Sequence, residues 1–429
     1  MSAEAPRDSA KGLPVVVPPS GKFIAQLFLV PFLIVTLVVC FLITINWLVG
    51  GARSPKDFLD KLDSANPEVR WRGAEELAQY LQREESLAAN SAFALELCER
   101  LQSAVKELAS QERELAEFKK QQPDASSLER RTKAFQQTEN YVLYLSSCVA
   151  SSIVPVGAPL LGDMAANSGG ADAQAAAQRR RWAMWNLGKL GDNVSRFDNL
   201  KPEQQDAIVA VLAEQAANPS SSRASLAEKA RNYERGPQAH SLQALGLEKD
   251  FTEAAGDPDA FLRQLTALAL SFWEGTPQEN ERIEEVLLRL THDNGHGEDL
   301  IPRTEGESSG EKAITKTPGL RIRFNAALAL AHRGSPKVRL GILQQMLDEP
   351  ELRANFLIER PGGVQTPDEP VIAQIMEFAL KALVQLHKRQ PKMDLTSFAP
   401  TLDTLAKNGN IAIRTEATLA QQALSGKSG

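Results

Sequence analysis

Residues 66–77 read NPEVRWRGAEEL, residues 257–270 read DPDAFLRQLTALAL, and residues 322–330 read IRFNAALAL. Each stretch places an arginine after an apolar residue, a small residue three positions later, and a leucine seven positions after the arginine. Positions three, four and seven apart lie on one face of an α-helix. The pattern therefore predicts three amphipathic helices of one kind, and the small residue lets a neighbouring helix pack closely.

Weaker copies of the pattern occur elsewhere in the chain. The stretches after Arg180 and Arg414 keep most of its positions, and residues 375–383, IMEFALKAL, keep the apolar and small positions without the arginine. Most copies follow a predicted partner helix or a turn. Before the first copy, Asn66 can cap the helix and Pro67 can occupy its first turn.

These stretches together resemble the second helices of HEAT repeats, which form α-solenoids of stacked helix pairs. The resemblance covers roughly residues 51–82 and 174–425. It implies an all-α fold, an irregular HEAT-like α-solenoid. It also implies a structural role for four arginines, which in that family tie adjacent repeats through acidic or amide partners in the turns: Arg70, Arg263, Arg323 and Arg414. The copies are irregularly spaced, unlike the ~40–47-residue period of the ideal repeat, so insertions must interrupt the array.

An apolar segment precedes the repeats. Residues 23–49 contain no charged residue, and 27 residues of helix span ~40 Å, more than the ~30 Å hydrocarbon core of a bilayer. The run is longer than the ~7–15-residue apolar region of a signal peptide. We therefore predict one transmembrane helix over residues 23–49, with a cleaved signal peptide as the alternative.

The charges around this segment decide little about its orientation. Three basic residues lie before it, and three lie within a similar distance after it. Arg70 and Arg72, further along, slightly favour a cytoplasmic C-terminal part, although large domains translocate largely regardless of charge. We predict a single-pass membrane protein with its large C-terminal domain slightly favoured on the cytoplasmic side.

Composition narrows the classes of partner. The 429 residues are 43% hydrophobic and 24% charged, with a net charge of −6. A weakly acidic chain is a poor binder of the phosphate backbone, so we expect no nucleic-acid partner. The three cysteines show no CxxC or Cys/His spacing, which makes structural zinc an unfavoured interpretation.

The chain divides by composition into five parts. Residues 1–22 are predicted to be a disordered tail, 23–49 the transmembrane helix, 51–85 a first HEAT-like helix pair, 86–150 a long helical hairpin, and 151–425 irregular HEAT-like repeats. Loop insertions are predicted at 157–173, 293–319 and 359–370, where Gly, Pro and polar residues concentrate. The hairpin carries apolar stripes on both helices, which we interpret as mutual packing, with a partner-binding coiled coil as the alternative.

Candidate chemistry is sparse. His292 and His296, with Asp293, Glu298 and Asp299 nearby, form the densest metal-capable group, but their Gly-rich surroundings indicate a loop rather than a helical face. We therefore predict no metal site and no cofactor.

Two further patterns were weighed as possible sites. Residues 306–310, GESSG, match the nucleophile-elbow pattern around Ser308 but lack the strand and helix that this motif needs, so we predict no catalytic residue. Arg179, Arg180 and Arg181, followed by Trp182 and Trp185, are interpreted as a solvated helix face beside a tryptophan core contact rather than a phosphate site.

The leading hypothesis is a non-enzymatic, membrane-tethered helical-repeat scaffold or adaptor that binds proteins, because solenoids present long concave surfaces. Its expected partners are the lipid bilayer, through residues 23–49, and an unidentified protein. The alternative is a metal-dependent enzyme or sensor with its site in the loop insertions at His292 and His296. A third hypothesis is that the anchor and the hairpin at 86–149 drive self-association.

Overall fold

A computed structural model describes residues 29, 32–33, 35–41, 55–167, 170, 172–218, 223–235, 240–297 and 312–425. It divides into two units, Met1–Asp57 and Phe58–Gly429. In the first unit, residues 29, 32–33 and 35–41 are helical, and their large apolar side chains are about half or more exposed. Among the described residues, no helix is both long and apolar enough to cross a bilayer. The rest of the predicted anchor at 23–49 and the predicted tail at 1–22 lie outside the described residues.

The described chain is mostly helical, as the sequence predicts. The helices are α1 (Pro55–Leu62), α2 (Pro67–Leu81), α3 (Glu85–Ala88), α4 (Ser91–Lys120), α5 (Ala125–Ala150), α6 (Ala158–Ala166), α7 (Ala173–Val194), α8 (Pro202–Ala216), α9 (Ala224–Arg235), α10 (Leu242–Leu245), α11 (Leu247–Ala254), α12 (Ala260–Ala269), α13 (Pro277–Leu290), α14 (Leu320–His332), α15 (Leu340–Gln345), α16 (Glu349–Asn355), α17 (Glu369–Arg389), α18 (Ala399–Leu405) and α19 (Ile411–Leu424). Short 3₁₀ turns lie at Pro155–Gly157, Phe197–Asn199 and Thr396–Phe398.

Seven helices of the second unit form one packed row. In chain order, each member packs against the next: α2, α5, α7, α12, α14, α17 and α19. The three strongest copies of the arginine pattern lie on α2, α12 and α14. Their small and leucine positions, such as Thr266, Ala326 and Leu330, are fully buried. Two of the helices that the pattern marks, α12 and α14, thus contact a row neighbour on both sides, whereas α2 is the first helix of the row.

Capping side chains at the N-termini fix where the row helices begin. Asn66 accepts a hydrogen bond from the Glu68 amide at the start of α2, as predicted. At the start of α12 the cap is Asp259, whose carboxylate accepts hydrogen bonds from the Phe261 and Leu262 amides. These contacts satisfy amide groups that have no partner inside the helix.

Helices α4 and α5 pack on each other along the predicted stripes. Leu101 and Leu108 of α4 are buried, as are Val142 and Leu145 of α5. Helix α5 also lies between α2 and α7 in the row. The hairpin is therefore part of the core, and its second helix continues the row instead of projecting from it.

Residues 157–173, expected to be a loop, contain helix α6. The Gly- and Ala-rich composition indicated flexibility, but Pro159 occupies the first turn of α6, and Leu161 and Ala165 are buried against its neighbours. Here the small residues serve close packing. Gly162 has no room for a side chain, because a Cβ there would lie 2.4 Å from Asp250 Oδ2.

The other two predicted loops contribute a small sheet. Strands β1 (Lys312–Thr315), β2 (Phe356–Glu359) and β3 (Gln365–Pro367) pair antiparallel in the order β1-β2-β3. The predicted loop at 293–319 therefore contains strand β1, and the predicted loop at 359–370 contains strand β3. The prediction that these two segments are continuous loops is wrong. Each strand is at most four residues long, and β1 pairs with a strand far along the chain. The sequence around each strand therefore gives little indication of the sheet.

Candidate functional site

The four arginines predicted to be structural all contact other residues of the chain. Arg70 makes two 3.2 Å contacts to the carboxylate of Glu107. Arg323 and Arg414 donate to backbone carbonyls of Asp293 and Asn408 at 3.4 and 3.3 Å.

Arg263 has the most complete set of contacts. Its side chain is 1% exposed. It binds both carboxylate oxygens of Asp293 at 2.7 and 3.0 Å. It also donates to the carbonyl oxygens of Asp257, Pro258 and His296. Such a saturated guanidinium holds the turns around α12 together and leaves no donor for a ligand.

The arginine run at 179–181 is not a solvated face. Arg179 pairs with Glu112 and Glu139, Arg180 with Asp257, and Arg181 with both oxygens of Asp259. All three guanidinium groups are largely buried, so they join α7 to α4, α5 and the turn before α12. A sequence signal existed in the DPD stretch at 257–259, whose two carboxylates match two consecutive arginines.

The tryptophans beside this run are also placed differently from the prediction. Trp182 and Trp185 are 37% and 49% exposed, so neither is a core residue. The core position belongs to Trp273, which is fully buried and donates its indole N–H to the Leu187 carbonyl at 2.9 Å.

The histidine group at 292–296 has no metal-binding arrangement among its described members. The Asp293 carboxylate is held by Arg263, and the Nδ1 atoms of His292 and His296 contact Leu288 O and Asn294 Oδ1. Across the described ranges, no three His, Cys, Asp or Glu side chains are grouped to hold a metal ion. Glu298, Asp299 and Ser308 lie outside the described residues.

One candidate site is an apolar groove across four consecutive row helices, α7, α12, α14 and α17. Its volume is about 480 Å³. Its large apolar lining residues include Trp185, Leu268, Phe272, Leu328, Ile375 and Phe378. Trp185 and Phe378 are 49% and 45% exposed. Exposed aromatic side chains around a concave apolar surface are typical of protein-binding sites.

Polar side chains edge this groove. Lys189 Nζ donates to Ser151 Oγ at 3.0 Å, and its burial lowers the lysine pKa. Arg321 donates to Thr315 Oγ1 at 2.9 Å, and its guanidinium lies 5.1 Å from the centre of the Phe356 ring. Exposed Gln374 lies on the α17 side. The groove thus has an apolar centre and a polar rim, as protein interfaces do.

A second cavity, of about 360 Å³, adjoins the groove and shares Asp192 and Phe272 with it. We call it the acidic pocket, because four carboxylates line it against one guanidinium, that of Arg389: Asp192, Asp198, Glu234 and Glu274. Burial, and then the negative charges of Glu234, Glu274 and Asp198, raise the pKa of Tyr233. This pocket therefore favours positive charge.

The acidic pocket lies at the C-terminal ends of the row helices. His332 Nδ1 contacts the Ser271 carbonyl at 2.9 Å, and Arg389 Nη1 binds Glu274 Oε1 at 2.9 Å. Burial lowers the pKa of His332, which favours its neutral form beside the carboxylates.

The sequence analysis singled out Trp185 but assigned it to packing, and it missed Phe378 and the carboxylates. Comparison with known proteins adds no family: no protein-family model matches the chain, and no curated protein is significantly similar to it.

Proposed function

We propose that the chain is a HEAT-like α-solenoid scaffold, tethered to a bilayer by residues 23–49, that binds a partner protein in the apolar groove. The observation that carries this proposal is the groove itself, which opens across four consecutive row helices and exposes Trp185 and Phe378. A surface of this kind suits recognition of another chain, because buried aromatic residues dominate binding energy.

Two further observations support the scaffold role. Row helices that pack in chain order, with arginines contacting the intervening turns, are what the HEAT-like resemblance leads us to expect. The motif arginines and the Asp293 carboxylate are engaged in structural contacts. We therefore propose a binding role without catalysis.

The tether is proposed from residues 23–49 and from the part of them that is described. Large apolar side chains stand exposed in the first unit, among them Phe32 at 71%, Leu37 at 65% and Phe41 at 61%. Water does not favour so much exposed apolar surface on one short helical stretch, whereas a bilayer does. We propose that the large domain faces the cytoplasm. Protease treatment of sealed vesicles whose cytoplasmic face points outward tests this orientation, and protection of the large domain from the protease would contradict it.

The groove is tested by the double variant Trp185→Ala, Phe378→Ala in the full chain, with Val364→Ala, Ile411→Ala as the control. Val364 and Ile411 are 59% and 70% exposed and lie outside the groove. We expect the groove variant to lose the protein that co-purifies from membranes with the wild-type chain, and the control to retain it. Equal retention by both variants would contradict the proposed site.

We propose that the hairpin at 86–149 does not drive self-association, contrary to the third hypothesis. Much of the apolar stripe on α4 packs against this chain's own core, including Leu101 and Leu108, so it offers little surface to a second copy. The mass of the full chain in lipid nanodiscs tests this, and we expect one copy per nanodisc at low protein-to-lipid ratio.

A further inference from the structure

We propose that the groove binds an amphipathic helix of a partner protein, oriented by a lysine or arginine that enters the acidic pocket. This inference rests on the proposed function and names the chemistry of the partner. A groove lined by separate apolar anchors matches the apolar face of a helix, whose residues at i, i+3, i+4 and i+7 fill successive positions.

The two cavities adjoin each other. Asp192 and Phe272 line both of them. An apolar side chain seated on Phe272 therefore places its neighbours on the ligand helix beside the acidic pocket. The two volumes, about 480 and 360 Å³, give room for several side chains in the groove and for one long polar side chain beyond it.

The second feature is the charge around the pocket. Four carboxylates line it against Arg389, which pairs with Glu274. Three other cations lie near. Arg196 is 3.5 Å from Asp192, the half-buried Arg333 donates to the carbonyls of Leu270 and Trp273, and Lys189 lines the adjoining groove but donates to Ser151 Oγ. Among the side chains that line the pocket itself, the carboxylates outnumber the guanidinium groups four to one.

The opposite end of the groove has the opposite character. Arg321, near the start of α14, lines the groove far along the row helices from the pocket, which lies at their C-terminal ends. A cationic end of the ligand helix is thus attracted to the acidic pocket and repelled from Arg321. Complementary charges of this kind fix the direction in which a ligand binds.

The test uses three fluorescent helical peptides with the same leucine and phenylalanine face, which differ at one terminal position that carries Lys, Gln or Glu. Binding to the full chain in lipid nanodiscs is measured by fluorescence anisotropy. We expect the Lys peptide to bind about fivefold more tightly than the Gln peptide, the Glu peptide to bind most weakly, and salt to reduce these differences.

Two kinds of variant separate this inference from the proposed function. Asp198→Asn with Glu234→Gln removes the preference for Lys while leaving the Gln peptide bound. Asp198→Asn alone, at an exposed position outside the groove, repeats the test if the double variant folds poorly. Trp185→Ala with Phe378→Ala weakens all three peptides.

Each other outcome has a distinct meaning. Equal binding of the three peptides that still depends on Trp185 overturns the inference and leaves the groove as a binding site. A preference for the Glu peptide overturns it as well. Binding that ignores the groove variant, or no binding by any peptide, counts against both the inference and the groove.

Discussion

Arg263 illustrates at the scale of one residue how a helix of the row is joined to the turns beside it. Its guanidinium and the Asp293 carboxylate are both almost fully buried, and the remaining N–H groups bind three backbone carbonyls. A buried pair of this kind adds modest stability, but removal of one partner leaves the other charge without compensation in a low dielectric. A substitution of Arg263 should therefore lower the free energy of unfolding far more than a substitution of an arginine in an exposed ion pair.

We expect Arg263→Met to lower the free energy of unfolding by about 3–5 kcal/mol. The matched control is Arg353→Ala, because Arg353 pairs with Glu349 and Glu369 at the surface, where an ion pair contributes about 0–1 kcal/mol. Urea unfolding of the full chain in mild detergent, followed by tryptophan fluorescence, measures both. Similar losses for the two variants would contradict the structural role of Arg263.

Asp293 gives this pair a pH dependence. Burial raises the pKa of the carboxyl, but hydrogen bonds from Arg263 and the Gly295 amide outweigh it and hold the pKa below its usual value. The stability from this group is therefore complete above the unfolded aspartate pKa of ~3.9 and is lost as pH falls through the lower folded value. The stability gap between the wild type and Asp293→Asn should shrink below about pH 4. A gap that stays constant from pH 7 to pH 3 would argue against this assignment.

At the scale of elements, glycines set how closely row helices approach. A Cβ on Gly191 of α7 would lie 2.7 Å from the Nε1 atom of Trp273, whose fully buried side chain has no space to move. Gly188 lies one turn earlier, and a Cβ there would lie 3.2 Å from the Cα atom of Ala269 on α12. The contact between α7 and α12, and hence one wall of the groove, depends on these two positions.

We therefore predict that Gly191→Ala destabilises the chain by about 1–3 kcal/mol through overpacking. Gly341→Ala is the control, since a Cβ there meets nothing within 4 Å, and it should stabilise α15 by about 0.5–1 kcal/mol. Thermal unfolding monitored by circular dichroism compares them. The account fails at this contact if Gly191→Ala unfolds at the same temperature as the wild type.

The spacing of residues along the sequence predicts those helices whose buried face repeats at a regular interval. Arginine, a small residue and leucine at fixed spacing marked α2, α12 and α14, because a buried helical face repeats every three or four residues. It failed for α6, where glycine serves close packing, and for β1 to β3, whose partners are distant in sequence. It also failed for the arginine run at 179–181, because the carboxylates that bury it come from other elements.

At the scale of the whole molecule, the proposed tether makes a simple prediction. The wild-type chain should stay with membranes after extraction at alkaline pH, which strips peripheral proteins, because burial of a long apolar helix in lipid is strongly favourable. A variant lacking residues 23–49 should appear in the supernatant. Release of the wild-type chain by the same treatment would remove the tether from the account.

The groove was beyond the reach of the sequence for a physical reason. Trp185, Phe272 and Phe378 come from α7, the turn after α12 and α17, which are spread over about half the chain, and they line one groove only when the row assembles. The sequence pattern does not distinguish a half-exposed tryptophan from a buried one, because either can occupy an apolar position. The acidic pocket likewise gathers carboxylates from helix ends that are far apart in sequence.

The central claim is that this groove receives a partner chain. The most direct measurement places a photocrosslinking amino acid at Gln374, exposed at the groove, and at Gln422, exposed on α19 outside it, and irradiates each full chain in native membranes. We predict one discrete crosslinked product from position 374, lost in the Trp185→Ala, Phe378→Ala background, and none of that size from position 422. The same product from both positions, or none from position 374, would contradict the claim.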